Sequence, residues 1–201
     1  MINTIILDIG NVLAHFGWKE YLEKQNYEEE LYRRIRLATV HSEGWKLWDR
    51  SSITSKEIAE ICCKYDPSIE KEIRAFFENV YTYVWEYDYA SDFVKNLKEA
   101  GYQVYLLSNF NGGHFLHMKE NFEFIRHVDG GVISYEVNHI KPEPEIYEHL
   151  LQKYQINPTE AVFLDDMEEN IKAAEAFGIH TILVENHEQA LNDLRKLSVK
   201  I

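Results

Sequence analysis

The chain has 201 residues, with 34 acidic against 21 basic side chains and a formal net charge of -13. That length allows one sizeable core, or one core carrying a smaller insert, and the acidic balance argues against general nucleic-acid binding, which needs a basic footprint. The 45% hydrophobic and 27% charged residues are ordinary for a globular protein, so an anionic substrate must be held locally against a repelling overall field.

Taken in order, the chain opens on MINTIILDIGNVLA. Ile5, Ile6 and Leu7 form a short apolar run, as expected of a strand buried on both faces, and the run stops at Asp8 before a turn through Gly10 and Asn11. From about His15 to Tyr89 no strand pattern is evident, and amphipathic helices are predicted near Trp18 to Gln25, Tyr27 to Thr39 and Glu43 to Trp48. A fourth opens at Thr54 or Ser55, with Glu57 close behind, and runs to Tyr65. It carries the only cysteines, Cys62 and Cys63, whose adjacency excludes a disulfide scaffold and fits a reducing compartment. Pro67 and Ser68 introduce a fifth helix, bearing Ile69, Ile73, Phe76, Phe77 and Val80.

From Ala90 onward helix and strand alternate. Ser91 can cap a helix to about Ala100, stopped by Gly101 and followed by the strand QVYLLS. A helix from His114 to Asn121, the short strand GGVIS and a helix from Pro144 to Tyr154 come next. Then follow the strand AVFLDD, a helix from Met167 to Phe177 stopped by Gly178, the strand IHTILV and a last helix from about Glu188 to Leu197. This alternation predicts an α/β fold with right-handed crossovers, interrupted by an all-helical insert. No run approaches the ~18 apolar residues of a membrane span, and the amino terminus lacks the features of a signal peptide. A cytoplasmic protein without membrane association is expected.

Three apolar strands end in polar residues: at Asp8, at Ser108-Asn109 and at Asp165-Asp166. In an open parallel sheet the carboxyl ends of the strands share one edge, where ligands bind. If the three strands share a sheet, Asp8, Ser108, Asp165 and Asp166 converge. Asp8 is a candidate nucleophile toward phosphorus; a plain capping Asp in a turn would read the same alone. Asp165 and Asp166 beside it would be strongly self-repelling without a cation. A hard ion such as Mg²⁺ resolves this, since it takes oxygen ligands and bridges to phosphate. The alternative for the later acids, a solvated helix start favoured by the dipole, accounts for Glu168 and Glu169 better than for the acid pair. Ser108-Asn109 opens the loop SNFNGGHF, which suits an anion cradle as well as an ordinary turn. Lys141, in HIKPEPEIY, is stiffened by Pro142 and Pro144 and could pair with nucleophile and phosphate oxygens, although a lone surface lysine fits the same pattern.

The four motifs, in this order, resemble the haloacid dehalogenase-like hydrolases: LDIGNV, LLSN, KPEPEIY and FLDDMEEN. The resemblance covers essentially the whole chain and is nearest to small bacterial phosphatases acting on α-D-glucose 1-phosphate. It implies a Rossmann-like three-layer core of residues 1–14 and 90–201, a helical cap of residues 15–89, and Mg²⁺-dependent phosphoryl transfer from a small phosphorylated metabolite. By position it implies Asp8 as nucleophile and metal ligand, and a metal-binding backbone carbonyl at Gly10. It implies further that Asp166 is a direct metal ligand, that Asp165 assists through water, and that Ser108, Asn109 and Lys141 hold the phosphoryl group. One departure stands out. Most phosphatases of this kind carry a second Asp two residues past the nucleophile to protonate the leaving group, where this chain has Gly10. General acid help is worth about 10²–10⁴-fold, so substrates with good leaving groups should suffer least. His15, His41 and His114 are candidate substitutes, each equally a packing or surface histidine.

Two other readings stand beside the phosphatase. In a 2-haloacid dehalogenase Asp8 would attack carbon, but a metal-free site has no use for Asp165-Asp166. A phosphate-binding module, weakened at Gly10, would not need the complete remainder of the site. In HSEGWKLWDR, His41, Trp45 and Trp48 fall on one helical face, as bundle core or as a sugar-stacking surface.

Overall fold

The computed structural model describes residues 1–201. In chain order the elements are β1 (Thr4–Leu7), β2 (Ala14–Phe16), α1 (Trp18–Lys24), α2 (Glu29–Ala38), α3 (Glu43–Asp49), α4 (Ser55–Cys62), α5 (Glu70–Glu78) and β3 (Val84–Glu86). They continue with α6 (Ala90–Glu99), β4 (Gln103–Ser108), α7 (Gly112–Asn121), β5 (Gly130–Ile133), α8 (Ser134–Val137), α9 (Pro144–Tyr154), β6 (Ala161–Asp165), α10 (Glu168–Glu175), β7 (His180–Leu183) and α11 (His187–Lys196).

Five strands form one sheet in the order β5-β4-β1-β6-β7, every neighbouring pair parallel. The first strand is therefore central, and all four of its residues are buried. Ile5 and Leu7 pack into one apolar cluster and Ile6 into a second, as the alternation of side chains along a strand requires. The first cluster is continuous with Ile35, Trp48, Ile58, Phe76 and Phe77 of the inserted helices. The second holds Ile146, Tyr147 and Leu150 of α9 with Phe163 of the sheet. The result is the predicted α/β architecture, with helices on both faces of a parallel sheet.

Local signals account for most of the element ends. Thr54 and Glu57 form a reciprocal capping box at α4. Pro144 opens α9, and Gly101 and Gly178 sit just past α6 and α10 with φ of 91° and 81°, the left-handed conformation a helix stop favours. Three expectations are corrected. The insert is not wholly helical, because β2 and β3 at its two ends pair antiparallel, His15 opposite Trp85. Ser91 is not a cap: the Ala90 N–H is already taken by the Tyr87 carbonyl at 2.9 Å, and α6 begins before the serine. The helix expected from His114 begins two residues earlier, with the Asn111 side chain capping it by accepting from the His114 N–H. No helix is long and apolar enough to cross a membrane.

Trp48 joins the insert to the sheet-bearing part of the chain. It is 1% exposed, packs edge-on to Phe77 at 5.2 Å and lies 4.8 Å from His114 of α7. Its indole N–H donates to the Ile53 carbonyl at 3.0 Å. Trp48→Ala should therefore cost about 3–5 kcal/mol, read as a lower urea midpoint at unchanged slope. A loss under about 1 kcal/mol would mean that the two parts of the core are not coupled through this side chain.

Candidate active site

The sheet register sets the site. Leu7 pairs with Leu106 on one side and with Leu164 on the other, so Asp8 emerges level with Asp165 and one residue short of Ser108. The Asp8 N–H extends the ladder to the Leu164 carbonyl at 3.0 Å. Beyond it the chain turns back sharply, with the Leu13 and Ala14 N–H groups both donating to the Ile9 carbonyl. Asn11 takes φ of 56° in that turn, a conformation asparagine tolerates better than most residues, and its side-chain amide donates to Asp166 Oδ2 at 2.9 Å.

Lys141 lies at the centre, 3% exposed. Its Nζ is 2.8 Å from Asp8 Oδ1 and 2.6 Å from Asp165 Oδ2. The Asn109 side chain holds the lysine's backbone from both sides, accepting from its N–H at 2.8 Å and donating to its carbonyl at 3.0 Å. Ser108 Oγ donates to Asp8 Oδ1 at 2.5 Å, and the Ile9 N–H donates to the same oxygen at 2.7 Å. These bonds all fall on Oδ1, so the Asp8 carboxylate is oriented with Oδ2 free of them. Asp165, fully buried, also accepts from the Met167 N–H and the Asn170 amide. Asp166 instead fronts an open cleft.

Carboxylate oxygens of Asp8, Asp165 and Asp166 lie within 4.8 Å of one another, with Lys141 the one ammonium among them. Burial, reinforced by Asp165 and Asp166, pushes the Asp8 carboxyl up to about 7 despite the opposing pull of Lys141. Burial also raises Asp166, partly offset by its bond from Asn11. For Lys141, burial works against the charge, but Asp165 and Asp8 outweigh it and hold the ammonium above its usual range. Three hard oxygen donors with an excess of negative charge fit a hard divalent cation.

The cleft, of about 640 Å³, is walled by both parts of the chain, a size ordinary for a small-molecule site. Asp8, Gly10, Ser108, Asn109, Lys141 and Asp166 line it from the sheet edge, and Phe16, Trp18, His41, Trp45 and Asp49 from the insert. A Cβ on Gly10 would meet nothing within 4 Å. Asp8, Gly10, Ser108, Asn109, Lys141, Asp165 and Asp166 are thus brought together, but Asn109 differs in kind: its side chain is occupied by the Lys141 backbone. The aromatic stripe divides, because His41 precedes α3, Trp48 is buried and only Trp45 and His41 reach the cleft. His15 is bonded to Glu20 and Tyr87 and does not line it. His114 is buried against Trp48, its pKa lowered to about 3 by loss of solvent. Sequence reasoning missed Asp49; the signal was an acid on the last residue of a helix, where the dipole disfavours it.

Mouse bifunctional epoxide hydrolase 2 is 45% identical over 76 residues, 38% of this chain and 14% of that protein, so the chain spans only a small part of that relative's length. A sesquiterpene phosphatase of Aspergillus oryzae is 26% identical over 192 residues, 96% of this chain and 94% of that protein. A HAD family enzyme of Bacteroides thetaiotaomicron, solved in complex with magnesium and inorganic phosphate, superposes with a TM-score of 0.72 at 25% identity, covering 95% of this chain and 99% of that one. The family model for haloacid dehalogenase-like hydrolases matches residues 2–178, and the chain belongs to that family.

Proposed function

We propose that the chain is a Mg²⁺-dependent phosphomonoesterase that passes the phosphoryl group of a small phosphorylated metabolite through Asp8. The observation that carries this reading is the buried Asp8 carboxylate, fixed through Oδ1 by Ser108 and Lys141 at the edge of a three-carboxylate cluster. Asp8 attacks phosphorus and forms an aspartyl-phosphate, splitting one displacement into two. Ser108 Oγ and Lys141 Nζ turn from Asp8 to the phosphoryl oxygens as these arrive, giving charge-assisted bonds. Asn109 keeps the lysine's backbone in place throughout. Asp8, Asp166 and the Gly10 carbonyl would hold Mg²⁺ directly, with Asp165 acting through water because its own oxygens are taken. A bound Mg²⁺ supplies positive charge beside the phosphoryl oxygens.

Residues 15–89 serve as the cap over the core of residues 1–14 and 90–201, and the cap supplies the wall that selects the alcohol part of the substrate. Sequence likeness favours a sugar phosphate such as α-D-glucose 1-phosphate. The Phe16, Trp18 and Trp45 wall, and the A. oryzae relative that is a sesquiterpene phosphatase, place prenyl phosphates beside sugar phosphates in the panel to be screened. The acid cluster favours phosphate over haloacid chemistry, since attack on carbon needs no cation.

Hydrolysis of 4-nitrophenyl phosphate should be lost in excess EDTA and restored by Mg²⁺; full activity in the chelator would sink the acid-cluster site. Asp8→Asn keeps the shape without the nucleophile, so turnover should vanish while the circular dichroism spectrum persists. Substantial residual turnover, free of contaminating wild type, would exclude attack by Asp8. The two adjacent acids should separate. Asp166→Asn should weaken Mg²⁺ binding more in a calorimetric titration, whereas Asp165→Asn, which strips a partner from a buried ammonium, should cost the fold about 3–5 kcal/mol. The reverse pattern would mean the ligands are misassigned.

A further inference from the structure

An alkoxide expelled from phosphorus needs a proton, and the sheet edge has no group free to give one. Lys141, held as an ammonium by two carboxylates, and Ser108 are assigned to the phosphoryl oxygens, Asp166 is bonded by Asn11 and would hold the cation, and Gly10 has no side chain to offer. Around the cleft the remaining titratable side chains are His41, Lys46, Asp49, Arg50, Glu143 and Glu169. His41 Nε2 is engaged by Arg36 at 3.1 Å, and its pKa is lowered by burial and by that guanidinium. Lys46 is bonded to Glu43, and Arg50 and Glu143 form a two-pronged pair with each other. Glu169 is exposed on α10. Asp49 has no ion pair; its neighbour is the Trp45 indole, one turn back on α3.

Asp49 is also held in place. Ser134 Oγ, at the end of β5, donates to the Asp49 carbonyl at 2.6 Å. The next residue, Arg50, is pinned to Glu143, and the carbonyl of Ser51 accepts from the Gly112 N–H at 3.1 Å. Three successive residues of the insert are thus tied to the core around the cleft that Asp8 floors.

We propose that Asp49 is the general acid and base of this site. In the first step Asp8 forms its bond to phosphorus, the ester P–O bond breaks toward oxygen, and that oxygen takes the Asp49 proton to leave as the neutral alcohol. In the second, water attacks the aspartyl-phosphate and gives one proton to the Asp49 carboxylate. The P–O bond to Asp8 breaks, releasing phosphate and restoring both side chains. Asp49 is half-buried in the cleft wall, and the solvent it loses there chiefly, with a further push from the charge of Asp8, raises its carboxyl above the usual carboxylate range. The Trp45 indole, Lys141 and Arg50 pull the other way. A carboxyl shifted in this direction, toward holding its proton, is what the first step requires.

The assignment rests on the phosphatase reading, and leaving-group dependence tests it separately. First-turnover alcohol release is measured for full-length wild type, Asp49→Asn and Asp49→Ala with Mg²⁺, on 4-nitrophenyl phosphate and on a panel of alkyl phosphates that includes glucose 6-phosphate. Both variants should lose about 10²–10⁴-fold on the alkyl esters and stay within about tenfold on the aryl ester, whose leaving group needs no proton. With the aryl ester they should give a burst of 4-nitrophenol close to the enzyme concentration and then turn over slowly, because the second step has lost its base. On the alkaline side, above the range in which Asp8 itself ionises, the alkyl rate should fall with pH in wild type as Asp49 deprotonates, but not in the variants. Equal losses on both esters, or none on the alkyl esters, would overturn the assignment, as would a wild type active only on the aryl ester. A wild type that hydrolyses neither overturns the phosphatase reading and this assignment with it.

Discussion

The structure depends on one buried ammonium. Lys141 Nζ sits between Asp8 and Asp165 at 2.8 and 2.6 Å, and removing such a group from water costs several kcal/mol unless its partners are close and well oriented. The sheet meets that condition. Both carboxylates leave adjacent parallel strands at the same level, so their separation is set by backbone pairing rather than by side-chain choice. The lysine reaches them from the segment before α9, and Asn109, at the end of the strand on the other side of β1, holds that segment's backbone. Four chain segments far apart in sequence are thereby tied to one charge. Asp166 makes no ion pair with Lys141 and turns instead to Asn11 and the cleft. The resulting excess of negative charge explains why the Asp8 and Asp166 carboxyls are raised, and why a cation belongs there.

A second set of contacts joins the insert to this edge. The Ser134 hydroxyl accepts from the Phe110 N–H at 3.0 Å while donating to the Asp49 carbonyl, so one side chain links the Ser108 loop to the end of α3. Arg50 and Glu143 add a paired fork only two residues from Lys141. The end of α3 is therefore held against the core, whereas α2 is joined to the insert's own residues, as in the Arg34–Asp66 pair. His114 belongs to the same seam. Packed between Trp48 and Tyr81, with Nδ1 beside the Asn111 amide and Nε2 without a partner, it is kept neutral and serves packing rather than proton transfer.

What could be read from the sequence follows from how local each signal is. A strand ended by an acid, a Thr54–Glu57 capping box, a Pro144 helix start and a glycine stop are properties of a few consecutive residues, and those elements fall where the pattern places them. The pair β2 and β3 escaped because three residues carry no periodicity, and their partners lie about 70 positions apart. Asn109 was legible as a polar loop residue but not as a backbone clamp, since its target is 32 positions away. Asp49 was hidden for the same reason. In WKLWDR it reads as a helix end, and only the docking of α3 brings it to the rim of the Asp8 cleft. Convergence of strand ends is a consequence of topology and can be anticipated; convergence of an insert on those ends is a consequence of packing.

That distinction bears on how the site works. A carboxylate placed two residues past Asp8 would be a fixed part of the sheet edge, present whatever the insert does. Here that position is Gly10, with room beside it, and the acid is carried on α3. In the proposed mechanism, nucleophile, anion-binding groups and cation ligands belong to the core while the proton belongs to the insert, and the two halves of the chemistry would meet only when the end of α3 is docked. Phosphate binding alone does not require that docking; expulsion of a poor leaving group does. On this proposal, the three tethers at Asp49, Arg50 and Ser51 would be part of the catalytic geometry. Trp18 and Trp45, on the same insert, line the cleft beside Asp49, where under this proposal they would contact the alcohol portion of the substrate.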